Sequence, residues 1–242
     1  MKIIIPSHKR SKKITTHKHL NNCIVCVPDS QVAEYKAIGT FDVIGHPDNI
    51  IGISPKRRWI YAKFNDLFMV DDDLAFVYSQ ITNKNITTPI DSIINETHYI
   101  TKNLGLKMYG YSRNVNPSTY SGLQLFKANG FINGGAMGLL PAENLQFPID
   151  NVYMEDYYIS LLNAYYYRAC IIDLRYTFAF LESTKRVGGC SDYANRNETE
   201  KKSYFFMKKH FGDSVRLKYD GNPKVRMRKN PYEITIRTSF NK

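Results

Sequence analysis

The chain has 242 residues, 43% of them apolar and 18 of them tyrosine, enough to pack a core in one large domain or two small ones. Lysine and arginine number 33 against 22 acids, and the resulting net charge of +11 favours a polyanionic partner, most simply nucleic acid, over a merely soluble surface. No apolar run approaches the ~18–20 residues of a membrane span, the opening MKIIIPSHKRSKKITTHKHL has no signal-peptide cleavage pattern, and no GxxxxGK[ST] loop occurs, so a soluble, cytoplasmic protein without P-loop chemistry or membrane partner is expected.

In chain order, Lys2-Ile3-Ile4-Ile5-Pro6 reads as a buried strand opening into a polar loop, Cys23 to Val27 as a second strand and Phe41 to Gly45 as a third. Ser54-Pro55 predicts a helix start, serine capping and proline in the first turn, with Lys56, Arg57, Arg58 and Trp59 on that helix. Leu67-Phe68-Met69-Val70 is a strand apolar on both faces, as a central parallel strand requires. Thr88-Pro89 repeats the cap-and-proline device and opens a helix to about Asn103, with Gly105 as its stop. Lys107 to Tyr111 and Gly135 to Leu140 read as strands, Glu155 to Arg168 as a tyrosine-rich helix, Ala169 to Asp173 as a strand and Asn195 to His210 as a last helix. No repeat or linker divides the chain, so one α/β domain with a partly mixed sheet is expected, followed by a basic C-terminal extension from about residue 213.

Cys23 and Cys26 match C-x-x-C, but residues i and i+3 of a strand point to opposite faces, so the pair is read as buried small side chains and not as a zinc site. The segment LFMVDDDL is more informative. Three adjacent carboxylates repel unless positive charge lies nearby, and ligands of open α/β sheets bind beyond the carboxyl ends of strands. Asp71, Asp72 and Asp73 at such an end suit a hard divalent cation, Mg²⁺ or Mn²⁺, whose shell is completed by substrate phosphates. The plainer alternative, a solvated acidic turn, does not account for Phe68-Met69-Val70 running straight into the acids.

These motifs together resemble the GT-A glycosyltransferases. Ile3-Ile4-Ile5-Pro6-Ser7 looks like their opening strand, Asp71-Asp72-Asp73 like their DxD motif, Asn133-Gly134-Gly135-Ala136-Met137-Gly138 like their glycine-rich loop, and Met154-Glu155-Asp156-Tyr157 like the acid pair opening the helix of the catalytic base. With SPKRRW ahead of the acids and Gly188-Gly189 after Lys185-Arg186, the chain is most similar to the phage TET-associated DNA glycosyltransferases. The resemblance implies a GT-A-like domain with a Rossmann-like mixed sheet flanked by helices. It also implies transfer of a sugar, glucose or arabinose, from a UDP-sugar to the hydroxymethyl group of 5-hydroxymethylcytosine or 5-hydroxymethyluracil in DNA. The protein would act as a monomer, in the host cytoplasm if phage-encoded.

By that resemblance Asp71 and Asp73 hold the metal, Asp73 the surer ligand, while Asp72 is held structurally or contacts the sugar. A metal bridging the diphosphate would stabilise the leaving group as a Lewis acid. Asp156 is the expected base that takes the acceptor proton, with Glu155 binding the sugar or supporting it; the bare alternative is two acids favouring a helix start. Donor contacts are expected from Pro6, Ser7, Arg10, Gly134 and Gly135, and from Arg57 or Arg58 as a bidentate clamp on the diphosphate. Lys185, Arg186, Gly188 and Gly189 form a second anion-binding candidate. Leu181 to Lys185 has no histidine where GT-A enzymes commonly supply a further metal ligand, which leaves that ligand unassigned.

For nucleic acid, Lys12 and Lys13 form one basic cluster, and Lys224, Arg226 and Arg228 alternate with Val225 and Met227 so that an extended tail would align three cations on one face. Of the tyrosines at 153, 157, 158, 165, 166 and 167, most are expected to pack, with one near Asp156 placed to stack on a flipped base or the sugar. Three rival readings are a GT-A enzyme with a glycan, protein or lipid acceptor, a non-catalytic nucleic-acid-binding protein, and a two-metal nuclease using Glu143, Asp150 and Glu155. The intact DDD and Glu-Asp motifs speak against the second, and nothing else in the sequence motivates the third.

Overall fold

Short β-branched runs separated by polar, proline-bearing loops give strands, and the helices between them carry one apolar face each. The computed structural model describes residues 1–112, 120–150, 152–181, 196–218 and 231–238. Along the chain these form β1 (Lys2–Pro6), β2 (Ile24–Pro28), α1 (Val32–Lys36), β3 (Asp42–His46), α2 (Ile53–Phe64), β4 (Leu67–Val70), β5 (Leu74–Ser79), β6 (Lys84–Asn85) and α3 (Asp91–Asn103). There follow β7 (Met108–Ser112), β8 (Phe126–Lys127), β9 (Ala136–Leu139), α4 (Glu155–Tyr166), β10 (Ile171–Phe180), α5 (Arg196–Phe211), β11 (Val215–Leu217) and β12 (Ile234–Ile236).

One large mixed sheet runs β3-β2-β1-β4-β9-β7-β10-β5-β6, with β8 attached to β10. The strands β3, β2, β1 and β4 are parallel, β9 runs against both β4 and β7, and β7 and β10 are again parallel. Strand alternation divides the core between the two faces. Ile3, Ile5, Phe68 and Val70 pack with Ile90, Ile93 and Ile94 around α3 on one side. Ile4, Leu67 and Met69 pack with Ile60, Tyr61 and Ile159 of α2 and α4 on the other. The result is a three-layer α/β/α arrangement, as the sequence pattern predicts. A third cluster, formed by Val152, Met154, Leu161, Met207, Val215 and Ile234, seats α5 and the β11–β12 ribbon against α4. No helix among the described residues is long and apolar enough to cross a membrane.

Several local expectations are corrected. β4 is central and fully buried, but only β1 is parallel to it; β9 pairs with it antiparallel. Ser54 does not cap α2: Gly52 precedes the helix at φ 102°, and the Ser54 hydroxyl donates to the Pro148 carbonyl at 3.0 Å. Thr88 does not cap α3, which begins at Asp91 after Ile90; the Asp91 carboxylate instead accepts the Asn21 N–H at 2.9 Å. The strand expected to end at Asp173 continues as β10 to Phe180, with Asp173 fully buried and paired to Arg175 at 2.8 Å. The cysteines follow the strand argument: Cys26 lies in one core face and Cys23 packs against the other. Burial pushes the Cys23 thiol up to about 11 and the Cys26 thiol up to about 12, which keeps both protonated.

Candidate active site

Parallel β1 and β4 end at the same sheet edge, and antiparallel β9 begins there, since Val70 pairs with Ala136. This topology alone gathers Pro6-Ser7, the acid triplet and the glycine loop. The backbone of the triplet is then fixed by three donors: the Thr16 hydroxyl to the Asp71 carbonyl (2.5 Å), the Thr15 N–H to that of Asp72 (2.9 Å) and the Leu181 N–H to that of Asp73 (3.0 Å). The Asp71 N–H in turn donates to the Gly135 carbonyl at 2.9 Å.

Two arginines answer the charge repulsion. Arg10 Nη1 donates to Asp72 at 2.8 Å and approaches Asp73 at 3.4 Å, and Asp72 also accepts the Ser7 hydroxyl at 2.5 Å. Arg57 Nη2 donates to Asp71 at 2.7 Å and its Nε lies 3.6 Å from Glu155. Burial works against the Arg10 charge, but Asp72, with smaller contributions from Asp73 and Asp71, outweighs it and raises the guanidinium pKa. The Arg10 loop is itself held by Tyr35, whose hydroxyl accepts the Arg10 N–H and meets Ser7 Oγ, both at 2.8 Å. From below, buried Lys56 donates to the Ser7 carbonyl at 2.7 Å.

The three acids are not equivalent. Asp72 and Asp73 are largely covered, whereas the Asp71 side chain is 39% accessible at the cleft. Desolvation by the surrounding protein raises the Asp71 pKa, Arg57 opposes it, and Asp72 and Asp156 add to the rise.

Beside Asp71, the Gly134 N–H donates to Asp156 Oδ2 at 3.0 Å and the Tyr157 N–H to Oδ1 at 2.9 Å, so Asp156 receives two backbone donors as a carboxylate does. Gly134 has no room for a side chain: a Cβ there would stand 2.4 Å from Arg57 Nη1 and 3.1 Å from Asp156 Cβ. Glu155, by contrast, is buried, and desolvation pushes its pKa up to about 8 although Arg57 pulls it down; Asp156 and Asp71 add to the rise. The two adjacent acids thereby differ: Glu155 is mostly protonated near neutral pH and Asp156 carries the hydrogen bonds of an anion.

The acids, Ser7, Arg10, Lys56, Arg57 and Gly135 line one cleft of about 580 Å³, while Gly134 is not part of its lining; the size holds a small ligand of nucleotide scale. Among the described residues no three His, Cys, Asp or Glu side chains form a closed metal cage. The accessible carboxylate of Asp71 fits Mg²⁺ or Mn²⁺ held by one or two acids and otherwise by phosphate oxygens, and Asp73, largely covered and 3.4 Å from Arg10, would have to turn from that arginine to add the second acid.

Pro6, Ser7, Arg10, Arg57, Asp72 and Gly135 all border the cleft with Asp71, Asp73, Glu155 and Asp156. Arg58 does not: consecutive helical residues diverge by about 100°, and Arg58 instead donates to the Phe147 carbonyl at 2.8 Å beside a separate cavity. Arg57, 2% exposed in the cleft wall, braces Asp71 and Glu155. Lys12 and Lys13 are exposed in the turn after β1. Lys185, Arg186, Gly188, Gly189, Lys224, Arg226 and Arg228 lie outside the described residues. Of the tyrosines, Tyr153 and Tyr157 border the cleft, Tyr157 stacked on Phe131 at 4.1 Å, while Tyr165 and Tyr166 are exposed.

Sequence reasoning missed His8, Asn133, Phe180, Glu200 and Glu233 on the cleft wall. Asn133 opens the glycine motif, and its Oδ1 accepts the Gly135 N–H at 2.9 Å, an Asx-type turn legible in Asn-Gly-Gly. Glu200 and Glu233 belong to none of the motifs and carry no signal of their own in the sequence.

A family model described as TET-Associated Glycosyltransferase matches residues 1–163 of the 242. No curated protein matches the chain. The matched span begins before β1 and ends within α4, so it contains the acid triplet, the glycine loop and the Glu155-Asp156 pair. The fold is GT-A-like, and the chain belongs to the TET-associated glycosyltransferase family.

Proposed function

We propose that this glycosyltransferase moves a sugar from a UDP-sugar, with Mn²⁺ or Mg²⁺, to the hydroxymethyl group of a modified pyrimidine in DNA. The observation that carries the reading is the meeting of Asp71 and Asp156 in one cleft, joined through Arg57 and Gly134. The metal would sit on Asp71 and Asp73 and supply Lewis-acid stabilisation of the nucleoside diphosphate that leaves.

The chain's own groups do the rest. Arg10 and Arg57 hold the acid triplet in place before any ligand arrives, so the site needs little reorganisation. Asp156 accepts the proton of the attacking hydroxyl, and the two backbone N–H groups fix its carboxylate in position. Glu155, its pKa raised by burial, favours the protonated form that offers a hydrogen-bond donor to the sugar. The net charge of +11 suits a polyanionic acceptor and sets neutral glycans behind DNA.

The test is direct. The protein is incubated with UDP-glucose or UDP-arabinose, Mn²⁺ and DNA carrying 5-hydroxymethylcytosine or 5-hydroxymethyluracil, and the nucleosides are examined by mass spectrometry. A hexose or pentose gain that a chelator abolishes supports the reading. No gain on any of these acceptors, or cleavage of the strand, overturns it.

A further inference from the structure

Helix α5 presents a surface that the cleft chemistry does not use. Its inward face is Glu200, Ser203 and Met207, all buried and spaced by three and four residues as one helical stripe. Ser203 Oγ accepts the Tyr153 N–H at 3.1 Å, two residues ahead of Glu155, and Glu200 borders the cleft. The helix is therefore docked on the segment that opens α4. Lys201, Lys202, Phe205 and Lys209 face the other way and are all exposed. At about 100° per residue, these four positions fall within a single arc of about 100°.

Phe205 is 57% exposed, and its ring centroid lies 5.2 Å from that of Tyr204 and 6.4 Å from that of Tyr232, so an outward aromatic is backed by two more rings. Lys208 is tied to Asp213 at 3.1 Å, but Lys201, Lys202 and Lys209 make no ion pair among the described residues. One exposed aromatic alone would be ordinary. Three cations around a π-face are a more specific combination, because the lysines match phosphates and the ring matches an unstacked base. A membrane-lying helix would need a broad exposed apolar face, and that of α5 is already buried against α4.

We propose that the outer face of α5 docks a single-stranded stretch of nucleic acid, with Lys201, Lys202 and Lys209 on phosphates and Phe205 stacked on a base, and so delivers the acceptor to the cleft. The delivery step rests on the DNA-acceptor reading above; the binding step does not. It also assigns a role to a segment beyond the residues that define the family match.

The test uses the full chain and fluorescence anisotropy with a short unmodified single-stranded oligonucleotide and the matching duplex. Phe205→Ala is expected to weaken single-strand binding about tenfold, with a smaller effect on duplex, and Phe205→Tyr to restore it. The triple variant Lys201→Gln, Lys202→Gln, Lys209→Gln should reduce the slope of log affinity against log salt by up to about 2. Melting temperature and acceptor-free donor hydrolysis should not change in any of these variants. Unchanged single-strand affinity in both Phe205→Ala and the triple variant overturns the proposal, as does α5-dependent binding to phosphatidylserine vesicles without oligonucleotide binding. If the wild type binds single strands through α5 yet places no sugar on hydroxymethylated DNA, the surface stands and the acceptor reading falls. If transfer proceeds equally well in every α5 variant, the delivery role falls and the acceptor reading stands.

Discussion

Glu155→Gln isolates the effect of burying one acid beside another. The substitution keeps the shape of the side chain and removes its titration. Glu155 moves from an ordinary value of 4.5 to about 8 in the folded protein because it is desolvated, with Asp156 and Asp71 adding to the rise and Arg57 opposing it. A carboxyl whose folded pKa is raised contributes stability that is full below its unfolded pKa and is lost as pH rises through the folded one, here from about 4.5 to about 8. Between those values the unfolded chain has released a proton that the folded protein keeps. At about 1.4 kcal/mol per pH unit, the interval sets a ceiling of about 5 kcal/mol, and water entering the cleft lowers the expected change to about 2–4 kcal/mol. The assay is urea unfolding of both proteins, metal-free, at a series of pH values from 5 to 9. Wild type should lose ground to Glu155→Gln steadily up to about pH 8 and then run parallel to it. A difference that stays constant across the range refutes the argument that burial holds this acid protonated. Because glutamine imitates the neutral form, transfer by the variant at pH 7 should remain within about threefold of wild type.

Asp156→Asn should retain donor binding by calorimetry and lose about 10²–10⁴-fold in transfer rate, as removal of a general base does; the opposite pattern, with Glu155→Gln inactive, would exchange the roles of the pair. Asp73→Ala should leave the melting temperature near wild type and raise the Mn²⁺ needed for half-maximal transfer at least about tenfold, and activity indifferent to a chelator would remove the metal role. Gly134→Ala forces a Cβ to within 2.4 Å of Arg57 Nη1, so it should displace the guanidinium from Asp71, cost about 1–3 kcal/mol and impair transfer more than donor binding. Replacing Lys224, Arg226 and Arg228 together with alanine should lower the salt slope of DNA binding by up to about three phosphate contacts, and an unchanged slope would move that contact to Lys9, Lys12 and Lys13.

What the sequence determined by itself was whatever rests on local pattern. Ile3-Ile4-Ile5 and Phe68-Met69-Val70 are strands because β-branched and large apolar side chains alternate onto two buried faces. Glycine and proline mark several ends, such as Gly105 at φ 69° after α3. The acid triplet, the glycine loop and the Glu155-Asp156 pair were legible because each is contiguous, and their order along the chain suggested a shared site. Tertiary structure decided what depends on distance across the fold. The antiparallel insertion of β9 beside β4 brings Gly135 to Asp71, and no periodicity encodes the direction of a strand. Which acid stays accessible is settled by Arg10, some sixty residues upstream, taking Asp72 and Asp73, while Arg57 takes only one oxygen of Asp71. The turn of one helix sends Arg57 into the cleft and Arg58 away from it, although the two are chemically alike and adjacent. The same holds for Glu155 and Asp156: sequence presents two neighbouring acids, and only the fold buries Glu155, which raises its pKa against the opposing pull of Arg57, and gives Asp156 two backbone N–H donors. Desolvation and charge pairing act through space, over a few ångströms between residues that the chain keeps far apart.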